Sequence, residues 1–117
     1  MRILIVDDEA ALRRALLRDL KPRLPNAAFE DFGDGPSALA RAAAAPFDAA
    51  ILDIRMPDMD GFQLAERLLA ATPATRIAFL TAESDEDVLA RARSVSGREP
   101  FGKPWQMPAL LAFLGWV

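Results

Sequence analysis

Asp53 ends an apolar run, Ala49 to Leu52, and precedes a loop marked by Pro57 and Gly61. A carboxylate delivered to a turn by a buried strand is placed for nucleophilic chemistry or for a cation, although one such aspartate alone could equally cap a helix or face solvent. Other residues decide. Asp7 and Asp8 follow the apolar run Ile3 to Val6, Thr81 follows Arg76 to Leu80, and Lys103 follows Phe101 and Gly102. Taken singly, Asp8 and Thr81 read as helix caps and Lys103 as surface charge. Taken together, carboxylates, a hydroxyl and an ammonium at successive strand ends outline one polar site.

Three carboxylates packed together repel, which raises at least one pKa or destabilises the fold unless a divalent cation relieves it. The chain has no His and no Cys. That excludes disulfides, thiolate and imidazole metal sites, thiol nucleophiles and every His-based triad, so any metal must be held by oxygen. Mg2+ suits a site with few carboxylates and room for water and a phosphate oxygen better than a Ca2+ cage does. Only Lys21 and Lys103 accompany 12 Arg. A compact ammonium at Lys103 suits point contact with a carboxylate and a phosphoryl oxygen, where Arg would impose its fork. The set is therefore built for a phosphoryl group on Asp53, with the metal, Lys103 and Thr81 neutralising its oxygens.

Such convergence requires a parallel sheet, in which every strand ends on one edge and ligands bind where the strand order reverses. The pattern supplies one. Ile3 to Val6 is a strand buried on both faces; Ala10 to Leu20 is a helix with Leu12, Leu16 and Leu20 on one side, stopped by Pro22 and Pro25. Ala27 to Phe32 alternates as an edge strand, and Pro36 to Ala45 is an Ala-rich helix. The third strand ends at Asp53, with a helix from Phe62 to Ala71. Arg76 to Leu80 is a fourth strand ending at Thr81, followed by a helix from Asp85 to Arg93. A short fifth strand near Phe101 and a last helix, Trp105 to Val117, complete five βα units with helices on both faces.

The length of 117 residues predicts one domain, 1–117, and 52% hydrophobic with 26% charged residues is ordinary globular composition. A net charge of -3 offers no basic nucleic-acid surface. The N-terminal apolar run is too short for a signal peptide, and the 14 uncharged residues from Pro104 to Val117 fall short of the ~18 that span a bilayer. The expected location is cytoplasmic, with no membrane contact.

With these residues assembled, the chain resembles the receiver (response regulator) domains of two-component signalling. Ile-Leu-Ile-Val-Asp7-Asp8-Glu, Leu-Asp53-Ile-Arg-Met-Pro57-Asp-Met-Asp60-Gly61, Leu-Thr81-Ala82 and Lys103-Pro104 carry the resemblance along nearly the whole chain. It implies an α/β, doubly wound (βα)5 flavodoxin-like fold with strand order 2-1-3-4-5. It also implies that Asp53 accepts a phosphoryl group from a phosphohistidine on a sensor kinase or histidine phosphotransfer protein, which supplies the histidine this chain lacks. Asp8, Asp53 and the Arg55 carbonyl would ligate Mg2+ directly and Asp7 through water. Lys103 would contact the acyl phosphate, Thr81 would move to bond it, and Pro104 would follow a cis peptide bond. The domain would phosphorylate and dephosphorylate itself without turning over an external substrate.

Some features depart from that pattern. Receivers usually carry an aromatic residue three positions before the lysine; here Pro100 stands there and Phe101 follows, so Phe101 either takes the switching role or is a core residue. Arg55 and Glu83, each two residues after a site residue, are expected to face each other across the mouth and to limit access of water to the acyl phosphate. The last helix has an inward stripe of Leu110, Phe113, Leu114 and Val117. Ala109, Ala112, Gly115 and Trp116 opposite it are expected to meet a second copy, a kinase or an output domain. Two other readings remain. A haloacid-dehalogenase-type phosphatase would want an aspartate where Arg55 stands, and a phosphorylation-independent pseudo-receiver would tend to lose acidic or lysine positions that are all present.

Overall fold

The computed structural model describes residues 1–115. Five strands alternate with five α-helices: β1 (Arg2–Val6), α1 (Ala10–Leu20), β2 (Ala28–Phe32), α2 (Gly35–Ala44), β3 (Ala49–Asp53), α3 (Gly61–Ala71), β4 (Arg76–Thr81), α4 (Glu86–Ser96), β5 (Phe101–Gly102) and α5 (Met107–Phe113). All neighbouring strands pair in parallel, in the order β2-β1-β3-β4-β5. This is the doubly wound arrangement expected from the sequence. The order reverses between β1 and β3, so the crevice at their carboxyl ends is flanked by Asp7, Asp8 and Asp53.

The strand side chains alternate between two cores because successive residues of a strand point to opposite faces. Leu4, Val6, Ala50, Leu52, Ile77 and Phe79 pack with Ala38 and Ala42 of α2, Phe62, Leu64, Ala65 and Leu68 of α3, and Ala92 of α4. Ile3, Ile5, Ile51, Ala78 and Leu80 pack on the other face with Leu16 and Leu20 of α1 and Leu110, Leu111 and Phe113 of α5. Burying each such large side chain contributes roughly 1.5–3 kcal/mol. The two cores together offset the cost of holding Asp7 and Asp53 out of water at the strand ends.

The starts of α2, α3 and α4 are set by side-chain caps, while α1 and α5 have none. Asp34 accepts from the Ser37 amide at 2.7 Å, and Asp85 accepts from the amides of Asp87 and Val88. Asp60 and Gln63 form a reciprocal capping box that starts α3. Gly97, in the left-handed conformation with φ 75°, ends α4.

Several boundaries differ from the expected ones: β1 starts at Arg2 and not Ile3, β2 at Ala28 and not Ala27, and α3 at Gly61 and not Phe62. Helix α4 begins one residue later, because Asp85 is its cap, and continues past Arg93 to Ser96. Helix α2 occupies Gly35–Ala44 instead of 36–45. The largest difference is α5, expected over 105–117. Trp105 and Gln106 precede it, Pro108 sits in its first turn, and it ends at Phe113 ahead of Gly115, whose φ is 82°. Leu110, Phe113 and Leu114 are buried as the stripe requires, joined by Leu111, while Ala109, Ala112 and Gly115 are exposed. Trp116 and Val117, part of the expected stripe and its opposite face, lie outside the described residues. No helix among the described residues is long and apolar enough to cross a membrane.

Candidate functional site

β3 carries Asp53 to its C-terminal residue, in register with Leu80 of β4, and β1 ends one residue before Asp7. The carboxylates of Asp7, Asp8 and Asp53 each offer an oxygen within 4.8 Å of the others. Asp7 and Asp53 are buried and Asp8 is exposed. β5 brings in the cation: the Lys103 main-chain N–H donates to the Thr81 carbonyl at 3.0 Å. Its ammonium then bridges Asp7 Oδ2 at 2.9 Å and Asp53 Oδ1 at 3.1 Å. The Lys103-Pro104 peptide bond is cis.

The two ends of this bridge are served unequally. Burial raises the Asp53 pKa from 3.8 to about 6; the Lys103 hydrogen bond opposes the rise, while Asp7 and Asp8 add to it. Lys103 also loses hydration, but its two hydrogen bonds and the facing carboxylates more than compensate and hold its pKa above the usual lysine value. One ammonium is thus insufficient for three carboxylates, and the site retains uncompensated negative charge at neutral pH.

The loop after β3 is shaped around the carboxylate. The Gly61 N–H donates to the Ile54 carbonyl at 2.9 Å. A Cβ at Gly61 would lie 2.1 Å from the Asp53 carbonyl oxygen, so only glycine permits this approach. Asp58 adopts φ 68°, and Met59 turns inward to the core beside Gly35.

Thr81 is buried, and its hydroxyl accepts from the Glu83 N–H at 2.9 Å. Glu83 in turn accepts from Arg55 Nε at 2.6 Å. Arg55 and Glu83 therefore meet across the mouth as an ion pair, and the same glutamate's backbone holds the threonine. Phe101 is half-buried in the core of the α1/α5 face, its ring 5.9 Å from that of Phe113.

A family model described as the response regulator receiver domain matches residues 3–114. The chain belongs to this family. Among its relatives, Stress response regulator protein 1 of Meyerozyma guilliermondii is 34% identical over 110 residues, covering 92% of this chain and 50% of that protein. Response regulator MprA of Mycobacterium avium is 32% identical over 112 residues, covering 96% of this chain and 48% of that protein. The solved structure of the Vibrio cholerae chemotaxis protein CheY4 superposes with a TM-score of 0.83 at 29% identity, covering 97% of this chain and 95% of that one. The receiver thus spans about half the length of the curated relatives named here.

Receiver domains bind Mg2+ at an acidic pocket, and the donor chemistry here fits that ion. Both Asp7 oxygens are already engaged, Oδ1 by the Glu9 N–H and Oδ2 by Lys103. This leaves Asp8 and Asp53 as the freer carboxylates for a hard, oxygen-seeking cation. Two contributors were not singled out from the sequence. Asp60, three residues before Gln63, announces the capping box by its spacing alone. Arg13 carries no such signal, since nothing in the run Arg13, Arg14, Arg18 tells which guanidinium turns toward the strand ends.

Proposed function

We propose that residues 1–117 form one receiver domain that takes a phosphoryl group onto Asp53 from a phosphohistidine of a sensor kinase or phosphotransfer protein. The observation that carries this reading is the Lys103 ammonium lying between Asp7 and Asp53 at 2.9 and 3.1 Å, beside Asp8. Asp8, Asp53 and the Arg55 carbonyl would hold Mg2+, with Asp7 acting through water; the ion would supply positive charge to the phosphoryl oxygens. An Asp53 carboxylate oxygen forms the new bond to phosphorus as the bond to the donor imidazole nitrogen breaks and its electron pair leaves with the ring. Lys103 then contacts the acyl phosphate. The Thr81 hydroxyl, which accepts from the Glu83 N–H, moves to donate its hydrogen to a phosphoryl oxygen, which shifts the loop into α4 and favours one of two conformations.

Arg55 and Glu83 narrow the mouth and slow hydrolysis of the acyl phosphate. The domain turns over no external substrate and acts in the cytoplasm, switching protein contacts. Its last helix, through Ala109 and Ala112, is the proposed face for a second copy or an output domain.

Incubating the protein with acetyl phosphate, with and without MgCl2, and mapping the adduct by mass spectrometry tests the reading. Phosphate on Asp53 alone, dependent on Mg2+ and absent from Asp53→Asn, is the expected result. Modification at another residue, or none with Mg2+ present, refutes it.

A further inference from the structure

Arg13 of α1 belongs to none of the roles above, yet it reaches the acidic pocket from behind. Its Nε donates to Asp31 Oδ2 on β2 at 2.8 Å, and its Nη1 donates to the main-chain carbonyl of Asp7 at 2.6 Å. The guanidinium also lies against Gly33, where a Cβ would come within 3.1 Å of Nη1. The other polar atoms of Asp7 are held as well: the N–H by the Phe32 carbonyl at 3.2 Å, Oδ1 by the Glu9 amide and Oδ2 by Lys103. The Asp7 carbonyl belongs to the peptide unit that carries Asp8. That unit is planar, so an atom fixed on one side of it fixes the direction in which the Asp8 Cα departs.

We propose that Arg13 is a positioning residue for the cation site: by tying the Asp7 carbonyl to β2 it sets the Asp7–Asp8 peptide plane, and with it the carboxylate spacing that selects Mg2+ over Ca2+. The proposal rests on the reading of the pocket as a Mg2+ site. Mg2+ requires near-ideal octahedral geometry at short oxygen distances, whereas Ca2+ accepts longer and more variable ones. Loosening the plane therefore weakens Mg2+ binding more than Ca2+ binding. The guanidinium bonds Asp31 and the Asp7 carbonyl at once from a rigid fork, which an ammonium cannot reproduce.

The experiment titrates the full chain separately with MgCl2 and CaCl2, following amide NMR shifts, for wild type, Arg13→Ala, Arg13→Lys and Gly33→Ala. Metal-free melting midpoints are recorded for each. Residues that orient metal ligands typically change affinity by about 10–100-fold. Arg13→Ala and Arg13→Lys are expected to lose about tenfold in Mg2+ affinity with a clearly smaller loss for Ca2+. Gly33→Ala, whose Cβ at 3.1 Å pushes the guanidinium by a few tenths of an ångström without removing its charge, is expected to shift the Mg2+/Ca2+ ratio in the same direction by less. Equal losses for the two ions, an unchanged ratio, or full restoration by lysine overturns the proposal, because the guanidinium fork would then not set the carboxylate spacing by which the two ions differ. Should Arg13→Ala fail to fold, an unchanged ratio in Gly33→Ala overturns it. Wild-type protein that binds no Mg2+ removes both this proposal and the function on which it rests, whereas Mg2+ binding with an unaltered ratio removes the proposal alone.

Discussion

Replacing Asp53 by asparagine is expected to stabilise the metal-free receiver at alkaline pH and to do so far less in acid. Burial beside Asp7 and Asp8 raises the Asp53 pKa from 3.8 to about 6. Between those values the native protein retains a proton that the unfolded chain has released, so stability falls as pH rises through this window. The penalty is absent only below about pH 3, amounts to about a fifth of its full value at pH 4, and is complete above about pH 7. A shift of about two units corresponds to about 3 kcal/mol at 1.36 kcal/mol per unit. Screening by solvent at the open mouth of the site lowers the expected gain to about 1–2 kcal/mol. Asparagine cannot ionise, and its carbonyl can still accept from Lys103. At about 2.1 cal/mol/K per residue, each kcal/mol moves the midpoint of a chain this long by about 4 °C. Melting curves of both proteins in EDTA at pH 8 and pH 4 test this: a gain of about 4–8 °C at pH 8 should shrink to about 1–2 °C at pH 4. Adding MgCl2 at pH 8 should narrow the gap, since the ion stabilises the native wild type by mass action. An asparagine variant no more stable than wild type at pH 8 without metal would refute the claim that ionised Asp53 is held at a cost.

Gly61→Ala should destabilise the fold by roughly 3 kcal/mol or more, because its Cβ would meet the Asp53 carbonyl at 2.1 Å and backbone must move. Gly35→Ala should cost clearly less, since the nearest atom, at 2.5 Å, is the Met59 sulfur at the end of a flexible side chain; urea denaturation of the two variants decides, and equal losses would contradict the steric account. Arg55→Ala and Glu83→Ala should each change stability by only about 0–1 kcal/mol, as expected for a pair whose arginine is 68% exposed. Both should nevertheless speed loss of phosphate from Asp53 in a single-turnover assay, and an unaltered rate would rule out the barrier to water.

The sequence disclosed the parts of the fold whose residues repeat with a period. The Leu12, Leu16, Leu20 spacing located α1 at its observed bounds, and the wholly apolar run before Asp53 gave β3. Where the pattern was absent, the reading was coarse. β5 is two residues long and held to β4 through Phe101 and Gly102, too short to establish any alternation. α5 ends at Phe113, short of the expected Val117: a stretch without charge looks uniformly helical, whereas Gly115 adopts a positive φ that no helix continues. In the site, Asp7, Asp8, Asp53, Thr81 and Lys103 were legible as strand-end residues, since the parallel architecture gathers such positions on one edge. The approach of Arg13 to the Asp7 carbonyl was not, because a main-chain acceptor leaves no mark in the side-chain pattern.

Helix α4 has only Ala92 fully buried, with Val88 and Val95 partly covered against the core. Sliding such a helix exposes little grease to water, so its seat is shallow compared with that of α3, which buries Phe62, Leu64, Ala65 and Leu68. The stretch from Thr81 to Asp85 leads straight into it. A pull of a few kcal/mol on that tether would be wasted on a deeply rooted helix but is commensurate with this one.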